Sequence, residues 1–418
     1  MSAAGTVRGY TRRVRLDRYD SYLSTFHATV TARREDAGGA WLALDRSAFY
    51  PRSGGQLNDV GELVVAGETR RVVDVIVDAG TVWHKLGPPP GATPVAPGAA
   101  VVGRLDRDRR LRHMQRHSAQ HLLSAALLRV DASFATVAVS MRGPDCTVEV
   151  PAEVTVDRLA AIEAEANGVA REARPITAFE VEEERLAEYA LRRPAKVGGL
   201  VRLVAIAEYD IVACGGTHLR STAETLPIKL LGVERVRGGH SRITFRAGQE
   251  ALEDHVARFE ATTRLVRAFS VPVGELPGQA ERLQQELAVG RREVEAWRTR
   301  LATRLAHDLL SRRSDPSAAA VAVLEEPDAA LLPEVMEACQ AVEGAVALLA
   351  AVVGTEARLA FVAGHGANVD VRPHLAAALA ALGGRGGGRP DRAQGAATAD
   401  AERVRLVLAE LAPAVRRG

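Results

Sequence analysis

The sequence predicts an α+β fold in several units, and three observations carry that prediction. At 418 residues and 44.5 kDa the chain exceeds one ordinary domain and has room for about two to four. From Val30 to about Leu86, short β-rich runs alternate with Gly, Asp and Asn, the pattern of an antiparallel sheet or small barrel. From Asp106 the apolar period changes to that of helices mixed with strands. Four segments follow: an N-terminal barrel-like β-rich domain over 1–104, an α/β domain over 105–250, a helical coiled-coil-like segment over 251–313 and a C-terminal α/β domain over 314–418.

Within the first segment, Val72–Val77 and Thr81–Leu86 read as strands. The stretch Leu86–Ala99 packs five prolines and three glycines, which forbids helix or central strand and marks a boundary or an insertion beside one. In the second, Leu111, Met114, His117, Ala119, His121, Leu122, Ala125 and Leu128 suit a helix with one side against a core. Two more helices are expected at about Val156–Arg171 and Glu182–Arg192, then the strand-like VRLVAIAEYDIVAC ending at Cys214. Gln249 to Arg313 is helical except around VPVGELPG. There Leu276, Ala280, Leu283, Leu287, Gly290, Val294, Trp297 and Leu301 repeat at alternating spacings of four and three, a heptad seam that an antiparallel helix or a second copy of the chain would bury. The last segment mixes strands and helices around the glycine-rich Gly383–Gly395.

A 47% hydrophobic share with 25% charged residues excludes wholesale disorder. The net charge of +2 gives no global argument for a nucleic-acid or membrane partner. Its distribution does: Arg104–Arg116 and Ile228–Arg246 each carry a local +4, and Gly383–Gly418 a further +3. With only three lysines in the chain, nearly every cation is a guanidinium fork suited to phosphate. Solvated helix faces are the plainer reading of such runs. The N-terminus has no apolar core of signal-peptide length and the longest apolar run, Ala345–Val353, is too short to span a bilayer, so a cytoplasmic protein without a membrane partner is expected. Cys146, Cys214 and Cys339 are too few and too widely spaced for a disulfide framework.

His117 and His121 stand at i and i+4 of the expected helix and so share one face, the spacing two ligands of one zinc need. Far downstream, Cys214-Gly215-Gly216-Thr217-His218 offers a thiolate and an imidazole across a turn. His113 also lies four residues before His117, and spacing alone does not decide which pair binds. Cys214 as a small buried hydrophobe and the glycines as a plain turn form the bland alternative.

RHMQRHSAQHLL followed by ACGGTHL resembles the HxxxH and CxGTH pair of alanyl-tRNA editing proteins, the freestanding AlaX family, and of the editing domain of alanyl-tRNA synthetases. LDRSAFYPRSGGQLNDVGEL resembles that family's strand and turn with an FYPxxGGQ core. GGRGGGRPDRAQG resembles the glycine-rich signature of the C-terminal domain shared with DHH-type phosphoesterases, as in the long form of the family. The resemblance implies a zinc-dependent editing (deacylase) domain over 105–250, with one zinc on His117, His121, Cys214 and His218 and with His113 outside the set. It implies hydrolysis of the ester joining serine or glycine to alanine-accepting tRNA. Such a second sieve is needed because an alanine pocket cannot strongly exclude a smaller residue or one added hydroxyl. The chain starting at this module, no ligase activity is expected.

Ser47 replaces the threonine common in the family and keeps a hydroxyl able to meet a seryl side chain; with Gln56 it is the expected catalytic-pocket residue. Gly54 and Gly55 are expected to line the pocket, their plainer reading being a hairpin turn. Arg116, Arg385, Arg389 and Arg392 are the expected tRNA contacts, the last three aided by glycine amides that can approach phosphate. A homodimer through the helical segment or the C-terminal domain would bury the seam. The rival of a different class is a non-enzymatic tRNA- or RNA-binding protein with a structural zinc. A phosphoesterase is a weaker third, since the tail lacks a run of acidic metal ligands.

Overall fold

The computed structural model describes residues 15–36, 39–87, 94–196, 198–313, 315 and 317–415. It divides into two compact units, Met1–Arg264 and Leu265–Gly418. The expected mixed α+β class is found, with a closed six-stranded barrel where the β-rich segment stands.

The barrel is built from β1 (Thr25–Asp36), β2 (Gly39–Leu44), β3 (Gly61–Val65), β4 (Glu68–Asp78), β5 (Thr81–Leu86) and β6 (Ala100–Leu105). They are ordered β1-β2-β5-β4-β3-β6, and β6 pairs back onto β1. Every second residue of β1 points inward, so Phe26, Ala28 and Val30 join Leu42, Phe49, Leu63, Val75 and Val82 in one core. Leu86–Ala99 is an insertion between two barrel strands and not a domain boundary; residues 88–93 and the N-terminal stretch searched for a leader lie outside the described residues.

The chain then enters α1 (Arg107–Val130), whose N-cap Asp106 accepts a hydrogen bond from the Arg109 amide at 3.0 Å. A one-sided helix was expected here; instead every residue from His113 to Leu127 is buried. Two antiparallel sheets and α2 (Val156–Arg171) complete the unit. One sheet orders β12 (Ile228–Arg235), β13 (Ser241–Ala247), β8 (Cys146–Val150) and β7 (Ala138–Ser140). The other orders β11 (Asp210–Ala213), β10 (Leu200–Ile206) and β9 (Ile176–Glu182). Leu122, Leu123, Leu127, Ile162, Val204, Ile243 and Phe245 form the shared core.

Two expectations in this unit are corrected. Glu182–Arg192 is not an α-helix: β9 claims Glu182, and only a 3-10 turn, Glu183–Glu188, follows. Sheet pairing of β9 with β10 overrides the helical propensity of the Glu- and Ala-rich run. The single strand leading to Cys214 is a hairpin, β10 and β11, turning at a left-handed Glu208.

α3 (Gly248–Phe269) leads to the boundary between the units. In the second unit, α4 (Leu276–Ser311) is one continuous 36-residue helix. Its C-terminal turns bury Ala302 and Ala306, but Leu283, Leu287, Val294, Trp297 and Leu301 of the heptad seam face solvent. A five-stranded sheet orders β14 (Ala320–Leu324), β15 (Val346–Val353), β16 (Glu356–Ala363), β18 (Arg392–Thr398) and β17 (Arg385–Arg389). Alternate residues of β15 serve two cores: Leu349 packs with α4 and α5 (Leu332–Gln340), Leu348 with α6 (Arg372–Leu382) and α7 (Ala401–Leu411).

Candidate metal centre

Helix α1 and the turn after β11 bring His117, His121, Cys214 and His218 together, with one donor atom from each within 4.8 Å of all the others. His113, though buried on the same helix, is outside this group. Cys214 Sγ lies 3.3 Å from His117 Nε2 and 3.3 Å from His218 Nε2. Bond lengths of about 2.0–2.1 Å to nitrogen and 2.3 Å to sulfur put neighbouring donors of a tetrahedral zinc roughly 3.5 Å apart, so the side chains fit such an ion. His121 Nδ1 is buried without a hydrogen-bond partner, a further sign of a set that lacks its common acceptor.

The outer nitrogens are held. His117 Nδ1–H donates to Gln56 Oε1 at 2.8 Å, and His218 Nδ1–H donates to Ser118 Oγ at 3.2 Å. Both bonds leave Nε2 free to bind metal and aim it at Cys214. Gln56 is tied to the other ligand segment too, its Nε2 donating to Thr217 Oγ1 at 2.9 Å. Gly216 completes the lock, since a Cβ there would overlap the His117 ring and stand 3.1 Å from Gln56 Oε1.

Electrostatics favour the ligand forms. Burial raises the Cys214 thiol, but His117 and His218, whose Nε2 atoms stand at hydrogen-bond distance from Sγ, outweigh it by their electrostatic pull and hold the thiol well below its ordinary value. Burial pushes His121 and His218 well below the usual imidazole value, keeping them neutral. Cys146 and Cys339, buried away from such partners, are pushed up to about 12 and about 11. A thiolate beside neutral His121 and His218 is the donor state a metal requires.

The remaining expected residues fall elsewhere. Gly54 and Gly55 form the two-residue turn of a tight hairpin, with φ of 57° and 88° and reciprocal Ser53–Gln56 backbone bonds of 3.2 and 3.0 Å. Positive φ at both central residues is the signature of a type I′ turn, and this one delivers Gln56 to the metal ligands. Ser47 corrects its expectation: it is 1% exposed, its hydroxyl donates to His84 Nε2 at 2.7 Å and accepts from the Phe49 amide at 3.1 Å. His84 Nδ1–H donates to the Leu42 carbonyl at 3.0 Å, so this hydroxyl is spent inside the barrel.

Arg116 is corrected too, because its guanidinium is buried in an ion pair with Glu250, Nε to Oε2 at 2.7 Å. Part of the flanking positive charge is neutralised likewise. Arg110 is buried against Asp59, Arg112 pairs with Glu253, Lys229 with Glu163, Arg242 with Glu149 and Arg246 with Asp254. The +4 runs are therefore neutralised only in part: the pairs of Arg110 and Arg116 are buried and the others reach solvent, while Arg104, Arg107, Arg109, Arg235 and Arg237 make no ion pair among the described residues. In the second unit, Arg385 and Arg389 are exposed on β17, while Arg392 on β18 approaches Glu337 at 3.9 Å.

Sequence reasoning did not single out Ser118, Thr217 or Arg202. The first two sit inside the quoted motifs. Arg202 lies on β10 and donates from Nη1 to the carbonyls of Cys214 and Gly216, both at 2.9 Å. No local pattern announces it.

Residues 201–244, which include Cys214 and His218, match the family described as threonyl and alanyl tRNA synthetase second additional domain. The chain is similar to the alanine-tRNA ligase of Pyrococcus abyssi, 32% identical over 384 residues that cover 90% of this chain and 41% of the relative. It is 35% identical over 373 residues to that of Archaeoglobus fulgidus, covering 86% of this chain and 40% of the relative. It thus spans about two fifths of the length of the curated relatives it matches. The C-Ala domain from Aquifex aeolicus alanyl-tRNA synthetase aligns with 22% of this chain and 87% of its own at 26% identity, with a TM-score of 0.19, too low to bear on the fold. The chain is thus similar to part of the alanyl-tRNA synthetases, and it combines a barrel with a cluster able to hold a metal.

Proposed function

We propose that this chain is a zinc-dependent aminoacyl-tRNA hydrolase, removing serine or glycine from mischarged alanine-accepting tRNA. The observation that carries this reading is the buried His117, His121, Cys214 and His218 set, oriented by Gln56 from the barrel and Ser118 from α1. A bound zinc would supply Lewis-acid polarisation of a water or of the ester carbonyl. The protein's part is to hold that set rigid and in the right protonation state. Gln56 fixes the His117 tautomer, Gly216 lets the ring approach, and Arg202 secures the turn bearing Cys214. In the net reaction water adds to the ester carbonyl carbon and the ribose oxygen leaves with a proton.

A specific observation favours the structural-zinc reading as runner-up: four protein donors close a tetrahedral shell, and attack by water then requires one to be displaced. On either reading tRNA is the partner, with Arg385 and Arg389 available to its backbone and the exposed seam of α4 the surface through which two copies would pair. No helix among the described residues is long and apolar enough to cross a membrane.

One experiment separates the readings. The purified protein is incubated with Ser-tRNA, Gly-tRNA and Ala-tRNA, with and without chelator, and ester release is followed beside tRNA binding. The hydrolase frees serine or glycine, spares alanine and stops on chelation. Binding without ester release under any condition would establish the structural zinc instead.

A further inference from the structure

Two guanidinium groups of the first unit, those of Arg18 and Arg202, make no ion pair among the described residues. Arg18, at the end of a 3-10 turn, Leu16–Arg18, makes no side-chain hydrogen bond or ion pair among the described residues, and its Nε is sealed from solvent. Arg202, 8% exposed, donates from Nε to the Arg18 carbonyl at 3.3 Å and from Nη1 to the Cys214 and Gly216 carbonyls, while its Nη2 has no protein partner among the described residues. Of the nearby carboxylates one is ion-paired elsewhere and the other meets only a neutral hydroxyl. Asp17 is held by Arg15 at 2.6 and 2.8 Å, and Glu180, opposite Arg202 across the β9–β10 ladder, accepts from the Tyr19 hydroxyl at 3.4 Å.

Burial disfavours the Arg202 charge, the half-buried Arg18 beside it adds repulsion, and the Cys214, Asp17 and Glu180 charges offset this without a direct ion pair. Where a fold retains such an arrangement, an oxyanion is the group that relieves it, and forked guanidiniums suit phosphate. The place is equally telling. Arg202 straddles the turn that carries Cys214, so an anion held there lies about one ribose away from a group at the metal centre.

We propose that Arg18 and Arg202 form a phosphate subsite beside the metal centre, taking the last phosphodiester of an RNA strand whose 3′-terminal ribose carries the ester. The subsite rests on the editing reading for the identity of its RNA but not for its preference for phosphate. It holds the terminal nucleotide by its 5′ side and so positions the ester on its 3′ side. It also differs from the buried arginines of α1, since Arg110 and Arg116 are ion-paired to Asp59 and Glu250.

The test uses the zinc-loaded full chain and an analogue that cannot be hydrolysed as an ester, 3′-deoxy-3′-(serylamino)adenosine 5′-monophosphate. Its dephosphorylated nucleoside and inorganic phosphate are titrated beside it by calorimetry. Wild-type protein is expected to prefer the phosphorylated analogue over the nucleoside by about tenfold, the scale of one or two charge-assisted hydrogen bonds. Arg18→Gln should abolish that preference without changing nucleoside affinity or zinc content, because the Arg18 side chain supports no protein group. Arg18→Lys should retain part of it. Equal binding of the two compounds by wild type, or a preference that survives Arg18→Gln, overturns the subsite. Inorganic phosphate binding as tightly as the nucleotide overturns the RNA assignment in favour of free phosphate. A protein that keeps the phosphate preference yet leaves Ser-tRNA and Gly-tRNA acylated refutes the hydrolase and leaves the subsite standing.

Discussion

The Cys214–His218 turn and the β17–β18 hairpin are both glycine-rich, and glycine serves opposite ends in them. In the first, Gly216 clears space for a functional side chain, letting His117 and Gln56 close around the metal ligands. In the second, it clears space for packing. A Cβ on Gly395 would stand 2.6 Å from Leu379 Cδ1 on α6, and one on Gly386 2.9 Å from the same atom. Helix α6 therefore lies flat on this face of the hairpin, while Arg385 and Arg389 remain exposed. One segment is a preorganised interior and the other a surface with a tightly packed back, although in sequence one reads as a plain turn and the other as a glycine-rich stretch able to approach phosphate.

The largest effect that tests this contrast is removal of a ligand. His121→Ala should abolish deacylation and lower zinc content while leaving tRNA binding mostly intact, as measured by single-turnover assays, metal analysis and filter binding. Full activity in a zinc-free variant would sink the mechanism. One step outward, Gln56→Leu deprives His117 Nδ1 of its acceptor, and loss of such an outer partner typically costs about 10–100-fold in metal affinity or activity. Gly216→Ala should do at least as much, because the ring itself must move. Gly386→Ala should leave deacylation alone and instead destabilise the second unit by about 1–3 kcal/mol in denaturant unfolding, because its Cβ would overlap the Gln394 carbonyl and Gly395 Cα of β18 as well as crowd Leu379. If Gly386→Ala reduced ester release at unchanged stability, the packing role given to that glycine would be wrong.

The contrast also shows what a linear sequence discloses. The candidate ligand set was legible in part because its pieces are local, an i,i+4 pair on one helix and two donors across a five-residue turn, but the choice of His121 over His113 came from the family resemblance and not from spacing. The barrel was legible because alternation along a strand such as β1 is local as well. Charge was not. Arg110 finds Asp59 51 positions away and Arg116 finds Glu250 134 positions away, so charge runs that look solvated in one dimension are partly neutralised in three. The same nonlocality hid Arg18 and Arg202, which meet across 184 positions. Glu182–Arg192 misled for a related reason, its helical propensity yielding to pairing of β9 with β10.

Ser47 sharpens the distinction between interior and pocket. With its hydroxyl committed to His84, Ser47→Val should impair deacylation of Ser-tRNA and Gly-tRNA equally and cost about 1–3 kcal/mol of stability, since His84 Nε2 loses its donor inside the barrel. A loss confined to Ser-tRNA would instead return this hydroxyl to the substrate. The same pair predicts an acid limit. Burial lowers His84 to about 4, so it is neutral in the fold and takes up a proton more readily when unfolded. Its contribution is complete above the unfolded value near 6.5 and is lost as pH falls from there toward 4, a span worth about 3 kcal/mol.

The smallest expected effect belongs to the exposed side of the hairpin. Arg385 and Arg389 lie open to solvent, and Arg389 is only loosely tied to Asp391, Nε to Oδ1 at 3.6 Å. Each phosphate such a residue neutralises contributes about 0.7–0.9 to the slope of log affinity against log salt. Arg385→Gln with Arg389→Gln should therefore lower that slope by nearly 2 and weaken tRNA binding several-fold at low salt, with single-turnover deacylation of bound substrate unchanged. Arg392→Gln should do less, because this side chain is partly covered and near Glu337. An unchanged slope in the double variant would mean that these arginines serve the protein and not the RNA, and the hairpin would then differ from the metal-binding turn in exposure alone.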